Sequence, residues 1–281
     1  MKLKFKLILV GITLQACITQ KQNQGSINPV NGDSSIDFIT QRGVIVIPVL
    51  FEDKQMNFLF DNGDDLTTIN RKTQKGKTTK ISTSSGESAK LGQEKVASLK
   101  IGNFDFQKIN ARNQNLDFIE KDVPNLGGLI GQSVISKANW LIDFSKNKMT
   151  ISTSPLRPNV LDIIELKNMR EPKIKLTYNG VEYTAFVDLG SSTALSVTQD
   201  SPLAIALRKQ FEFKKNIREV ATAGGLRTLH ENIGVVSDLK IGSVKFDEIQ
   251  TSIRETSSQS VRIGASFFKD KTLIISNSKD S

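Results

Sequence analysis

The chain has 281 residues but only one cysteine, one histidine, one tryptophan and two tyrosines. A single cysteine excludes an intrachain disulfide, so the fold must be held by its core. A single histidine, His230, leaves no imidazole cluster for a metal. A Ser-His-Asp triad would have to use His230, and no Gly-x-Ser-x-Gly turn accompanies it; it reads as a surface or strand-edge residue. With so few Trp and Tyr there is little to stack on bases. The formal charge is +9, yet the lysines and arginines are scattered among acids, which describes a solvated surface and no nucleic-acid partner. Hydrophobic residues make up 38%, enough for a core and too few for a protein of many membrane spans. Gly76-Lys77-Thr78 lacks the glycine that a phosphate loop needs five residues earlier, where Arg71 stands.

The first 17 residues read as a leader. Lys2, Lys4 and Lys6 precede a short apolar stretch from Leu7 to Leu14, too short to span a bilayer. The segment ends Leu14-Gln15-Ala16-Cys17, which resembles a bacterial lipobox with Cys17 as the lipidation site. That resemblance implies a protein of the bacterial cell envelope, on the periplasmic or surface side, with the membrane as partner through an N-terminal lipid anchor. Residues 18–37 are polar, with Gly, Asn, Ser and Pro, and read as a flexible tether.

What is abundant is Val, Ile, Thr and Phe, punctuated by glycine turns, a texture of strands. The strands come twice. Val44–Leu50, a turn, and Phe58-Leu59-Phe60-Asp61-Asn62-Gly63 are answered by Ile174–Thr177, the hairpin signal Asn179-Gly180, and Ala185-Phe186-Val187-Asp188-Leu189-Gly190. Leu99-Lys100-Ile101-Gly102 is answered by Leu239-Lys240-Ile241-Gly242, and Gly128-Leu129-Ile130-Gly131 by Val261-Arg262-Ile263-Gly264. Each copy closes with a strand, Leu141–Phe144 through Met149–Ser152 and then Leu273–Ser276. Two copies are too few for a solenoid, so they are expected to pack as two lobes, 38–154 and 155–281, with a cleft between them. Pro202–Phe211 has helical spacing and a proline at its start, and predicts a short helix in the second lobe.

A carboxylate at the end of a buried apolar strand is costly unless paired, and a glycine two residues later permits a sharp turn. One such aspartate per repeat, Asp61 and Asp188, predicts a meeting at the lobe interface, where two close carboxylates share a proton. Asp61-Asn62-Gly63 and Asp188-Leu189-Gly190-Ser191 resemble the paired Asp-Thr/Ser-Gly loops of the pepsin-like and retropepsin-like aspartic peptidases. Gly128–Gly131 and the strand around Asp143 resemble that family's later apolar-apolar-Gly element and closing strand.

The resemblance covers residues 40–280. It implies an all-β fold of two pseudo-symmetric, closed-barrel lobes and an aspartic endopeptidase acting on a peptide or protein substrate, monomeric and without a metal or other cofactor. Asp61 and Asp188 would be catalytic. Asn62, Gly63, Asp64, Asp65, Leu189, Gly190 and Ser191 would form the active-site loops, Asp65 matching an acid that retropepsin-like loops often carry. Ser85-Gly86 and Gly224-Gly225 fall where the family carries mobile flaps. Asn62 and Leu189 replace the family's hydroxyl residues, and Asp64 adds a third carboxylate. Those departures define the alternative, a catalytically degenerate peptide- or glycan-binding protein on the same fold. Asp143 reads as a structural acid near a turn, and Trp140 as core.

Overall fold

The computed structural model describes residues 24–29, 31–82, 88–157, 163–167, 172–222, 225–255 and 260–277. Cys17, Ser85, Gly86 and Gly224 lie outside them. Among the described residues no helix is long and apolar enough to cross a membrane.

The two repeats fold with the same strand logic. In the first, Lys54–Phe60 runs parallel to Leu126–Ile130, which is antiparallel to Thr67–Asn70, which is parallel to Phe104–Gln114. In the second, Val181–Val187 runs parallel to Val261–Ile263, antiparallel in turn to Leu195–Thr198, which is parallel to Ile249–Arg254. The first lobe closes into a barrel because Phe104–Gln114 also pairs with Ser88–Ile101, which touches Val44–Phe51. Among the described residues the second lobe's strands follow the corresponding path without a closing pair.

Alternation explains why these segments are strands. Phe104–Gln114 buries every second residue over most of its length, the period of a half-buried strand. The predicted helix is present as Pro202–Arg208. Proline stands at its start, and Ser201 Oγ accepts the Ala204 N–H at 3.2 Å as N-cap.

A five-stranded sheet joins the lobes, in the order Ile163–Lys167, Thr272–Ser276, Asn139–Asp143, Lys148–Ser152, Asp33–Asp37. The closing strands of the two repeats meet at its middle, Trp140 opposite Ile275 and Ile142 opposite Leu273. Trp140 is fully buried, with ring centroids 5.1 Å from Phe60 and 6.1 Å from Phe106, and its indole N–H donates to the Ile135 carbonyl at 2.8 Å. One hydrophobic core runs through both lobes.

The described part of the expected tether is not a tether. Ser26–Asn28 pairs with Asp105–Gln107, and Asp33–Asp37 pairs with Lys148–Ser152 at the edge of the shared sheet. Ile27 and Ile36 pack against the core, and Ser34 Oγ accepts the Asn103 N–H at 3.0 Å. An edge strand draws its stability from the backbone ladder, so a polar, serine-rich composition concealed it.

Candidate active site

Both repeats deliver an aspartate by the same device. Lys54–Phe60 is exposed at its start and buried at its end, and the Asp61 N–H then donates to the Ile130 carbonyl at 2.9 Å. In the second lobe Val187 is buried and the Asp188 N–H donates to the Ile263 carbonyl at 2.8 Å. Asp61 Oδ1 accepts the Gly63 N–H at 2.9 Å, and Asp188 Oδ1 accepts the Gly190 N–H at 3.1 Å. The two loops therefore bend alike and hold their carboxyl groups alike.

The loops face each other. A β-carbon on Gly190 would lie 2.5 Å from Asp61 Oδ2 and 2.6 Å from Asp61 Oδ1. One on Gly63 would lie 2.9 Å from Asp188 Oδ1 and 3.2 Å from Asp61 Oδ1. Each aspartate thus rests against the other loop's glycine, in space that only a residue without a side chain leaves open.

A single side chain ties the loops together. Asn62 is fully buried. Its Nδ2 donates to the Val187 carbonyl at 3.1 Å, and its Oδ1 accepts the Leu189 N–H at 2.7 Å. An amide carries both a donor and an acceptor, so one Asn makes two bonds across the pseudo-dyad. Leu189 needs no polar side chain and lies in the core. Gln132, which follows the Gly128–Gly131 element, donates from Nε2 to the Asn62 carbonyl at 2.8 Å and from its backbone to the Asp64 carbonyl at 2.9 Å. The sequence reading did not single it out. A polar residue after an apolar-apolar-Gly element, where the second repeat has Ala265, was the available signal.

Asp64 does not join the pair directly. Its carboxylate turns to Arg112 Nη1 at 2.7 Å and to the Thr68 hydroxyl at 3.1 Å. Burial pushes the Asp64 carboxyl up from its ordinary value, against the pull of Arg112 and these hydrogen bonds. Asp65 lies 3.9 Å from the same arginine. Ser191 ties its loop to itself, its N–H to the Asp188 carbonyl at 3.0 Å and its hydroxyl accepting the Thr193 N–H at 3.4 Å.

Burial pushes the Asp61 carboxyl well above the usual carboxylate range, and the charges of Asp188 and then Asp64 raise it further. The N–H groups of Gly63 and Asp64 oppose the shift without cancelling it. Asp188 Oδ2 instead accepts a charge-assisted hydrogen bond from Arg262 Nη1. The two carboxyl groups therefore sit in unequal surroundings, Asp61 raised by burial and Asp188 in contact with a guanidinium.

Arg262, quoted in the sequence reading only as part of a strand match, belongs to a group of polar residues to which that reading gave no role. Glu231, its side chain 1% exposed, pairs with Arg218 Nε at 2.7 Å and lies 3.9 Å from Arg254 Nε. It also accepts from Asn216 Nδ2 at 3.0 Å and from the Ser252 hydroxyl. Burial raises the Glu231 carboxyl, but the bonds from Arg218 and Ser252 outweigh it and hold it below its ordinary value. Arg218 Nη2 and Arg254 Nη2 both donate to Thr193 Oγ1, at 2.7 and 2.8 Å, and Arg218 Nη1 donates to Ser192 Oγ at 3.2 Å.

Both expected flap regions are flanked by paired strands. Thr78–Ser82 pairs with Ser88 onward, and Lys214–Thr222 pairs with the strand that begins at Gly225. Their tips, 83–87 and 223–224, lie outside the described residues. Asp143 is where the sequence placed it, the last residue of Asn139–Asp143 and next to a turn. Its Oδ1 accepts from Ser145 Oγ at 2.6 Å and from the Lys146 N–H at 3.1 Å. His230 is exposed on its strand. Among the described residues no group of three or more His, Cys, Asp or Glu side chains is arranged to hold a metal ion.

No family model matches the chain, and no curated protein matches its sequence. Solved structures do resemble it. Basic 7S globulin from soybean aligns over 87% of this chain and 92% of its own, with 9% identity and a TM-score of 0.50. A retropepsin-like aspartic protease from Rickettsia conorii aligns over 46% of this chain and 94% of its own, with 17% identity and a TM-score of 0.33. At such identities the likeness is one of fold: an all-β chain of two pepsin/retropepsin-like lobes.

Proposed function

We propose that the cleft between the lobes hydrolyses peptide bonds with Asp61 and Asp188 as its acid and base. A fold alone licenses no chemistry, so the proposal rests on the site. The observation that carries it is the mutual seating of the two loops, each aspartate against the other loop's glycine and both loops tied by Asn62.

In this reading Asp188, carrying the charge, takes a proton from a water molecule as its oxygen attacks the scissile carbonyl carbon. Asp61, carrying the proton, donates a hydrogen bond to the carbonyl oxygen, where negative charge develops. Collapse of the tetrahedral adduct breaks the C–N bond, and the proton taken from water leaves on the amine. An extended peptide lying between the lobes would be held by main-chain hydrogen bonds. We further propose that Cys17 carries a lipid and anchors the lobes to a bacterial envelope, as its leader-like surroundings suggest.

Cleavage of a peptide library from acidic to neutral pH tests the proposal. Asp61→Asn and Asp188→Asn should each lower the rate about 10²- to 10⁴-fold. Unchanged cleavage in both variants eliminates the mechanism.

One observation favours a second reading, a peptide- or glycan-binding protein without catalysis. Arg262 occupies Asp188 Oδ2, an oxygen that a catalytic water would otherwise share. Arg262→Leu separates the readings. If the arginine orients Asp188 for catalysis, its loss lowers the rate. If it blocks the site, a silent protein gains activity.

A further inference from the structure

The second lobe concentrates arginine beside the paired aspartates beyond what hydrolysis requires. Arg218 and Arg227 lie on the half-buried face of the hairpin formed by Lys214–Thr222 and Gly225–Val236. Arg254 ends the neighbouring strand Ile249–Arg254, and Arg262 is the middle residue of Val261–Ile263. Two carboxylates serve three of the four guanidiniums, Glu231 for Arg218 and Arg254, and Asp188 for Arg262. Arg227 makes no ion pair among the described residues, and its buried Nε has no hydrogen-bond partner there. The cluster remains open to solvent at three of its members, Arg218, Arg254 and Arg262, whose side chains are 29%, 20% and 35% exposed.

An excess of positive charge in a half-buried place is unfavourable in the empty protein. Burial and the neighbouring guanidiniums of Arg218, Arg262 and Arg227 push Arg254 down to about 10, against the pull of Glu231. At about 10, Arg254 still carries its charge at neutral pH. Guanidinium presents a planar fork that matches a carboxylate, and several together focus the field in a cleft.

We propose that this cluster recognises a carboxylate of the bound peptide, from an acidic side chain or from a free C-terminus, on the second-lobe side of Asp188. The inference takes the cleft as a peptide site, as in the reading above, but does not require hydrolysis.

Asp61→Asn protein, in which bound peptide stays intact, allows a binding test by fluorescence anisotropy. The probes are otherwise neutral labelled peptides with one Glu walked along the sequence, each matched by a Gln peptide, with the C-terminus free or amidated. Glu at one position, or the free C-terminus, should bind about tenfold tighter than its uncharged counterpart, and the two peptide series separate those sources. The advantage should shrink as salt is raised, in protein with every arginine intact, and should vanish in Asp61→Asn/Arg227→Gln. Equal binding of all matched pairs overturns the inference, as does an advantage that survives Arg227→Gln or an absence of peptide binding altogether. The two readings fail separately. A charge preference without cleavage by the unmutated protein sinks only hydrolysis, and cleavage without preference sinks only the arginine site.

Discussion

The two lobes share a backbone plan and differ in where they put charge. Leu129 pairs with Thr68, and Thr68 with Arg112. In the second lobe Arg262 pairs with Ser196, and Ser196 with Ser252. The arginine has moved by two strands, from the flank of the motif to its centre. In the first lobe Arg112 neutralises Asp64, an acid beside the pair. In the second Arg262 meets the paired aspartate itself. The first lobe thus sets Asp64 and Asp65 beside a single arginine, Arg112, and the second gathers several guanidiniums near its aspartate. A pseudo-symmetric scaffold so decorated distinguishes its two aspartates, with Asp61 raised by burial and Asp188 held in the ion pair.

Glu231 is where that difference should break most visibly. It has no acidic counterpart in the register of the first lobe, and its side chain is 1% exposed between two arginines. Glu231→Gln leaves those arginines without their counter-ion and should cost about 3–5 kcal/mol, read from denaturant unfolding. A loss under about 1 kcal/mol would mean that the cluster relaxes without its acid.

Asn62→Leu, which makes the first loop copy the second, comes next. It strands the buried Leu189 N–H and Val187 carbonyl, and should cost about 2–4 kcal/mol. Leu189→Asn, the reverse exchange, should not rescue it, because position 189 faces the core.

The two glycines offer a third contrast. A methyl group at 190 meets both oxygens of Asp61 within 2.6 Å, whereas one at 63 stops 2.9 Å from Asp188 Oδ1. Gly190→Ala should therefore lower cleavage about hundredfold by displacing an aspartate, and Gly63→Ala should lower it less. Equal effects would mean that the loops yield alike.

The doubled strand pattern was enough to read the lobes, the short helix and the two aspartates, because each was marked twice or by local chemistry. Asn62 was visible as a loop residue standing in for a hydroxyl. Its double bond was not, since the partners are backbone groups of the other loop that only the fold brings near. Arg262 was quoted as a strand match to Leu129, and its charge went unweighed. A cation inside an apolar-apolar-Gly element next to an aspartate loop was the missed signal. Glu231, Arg218 and Arg254 gave no local signal, because strand register assembles them: Glu231 stands opposite Asn216 on one side and Arg254 on the other. Residues 26–28 and 33–37 were misread because edge pairing can do without an apolar sequence.

The smallest effect contrasts an aspartate that faces its pair with one at the end of a strand in the joining sheet. Asp61 lies well above the ordinary value of 3.8, through burial and then the charges of Asp188 and Asp64. Asp143 lies below it: burial raises it, but hydrogen bonds from Ser145 and Lys146 prevail. Linkage gives the two opposite signs. A raised folded value means that Asp61 supports the fold fully below about 3.8 and loses that support as pH rises through its folded value. A depressed one means that Asp143 supports the fold above about 3.8 and loses that support as pH falls through its folded value. Melting temperatures across pH should therefore show the unaltered protein losing ground to Asp61→Asn toward neutral pH, and to Asp143→Asn only in acid. The Asp143 contribution should stay below about 1 kcal/mol, because its ion pair with Lys146 is exposed on the lysine side. If both variants shift in the same direction, the proton has been placed on the wrong aspartate. The charge difference between the lobes would then no longer order the pair.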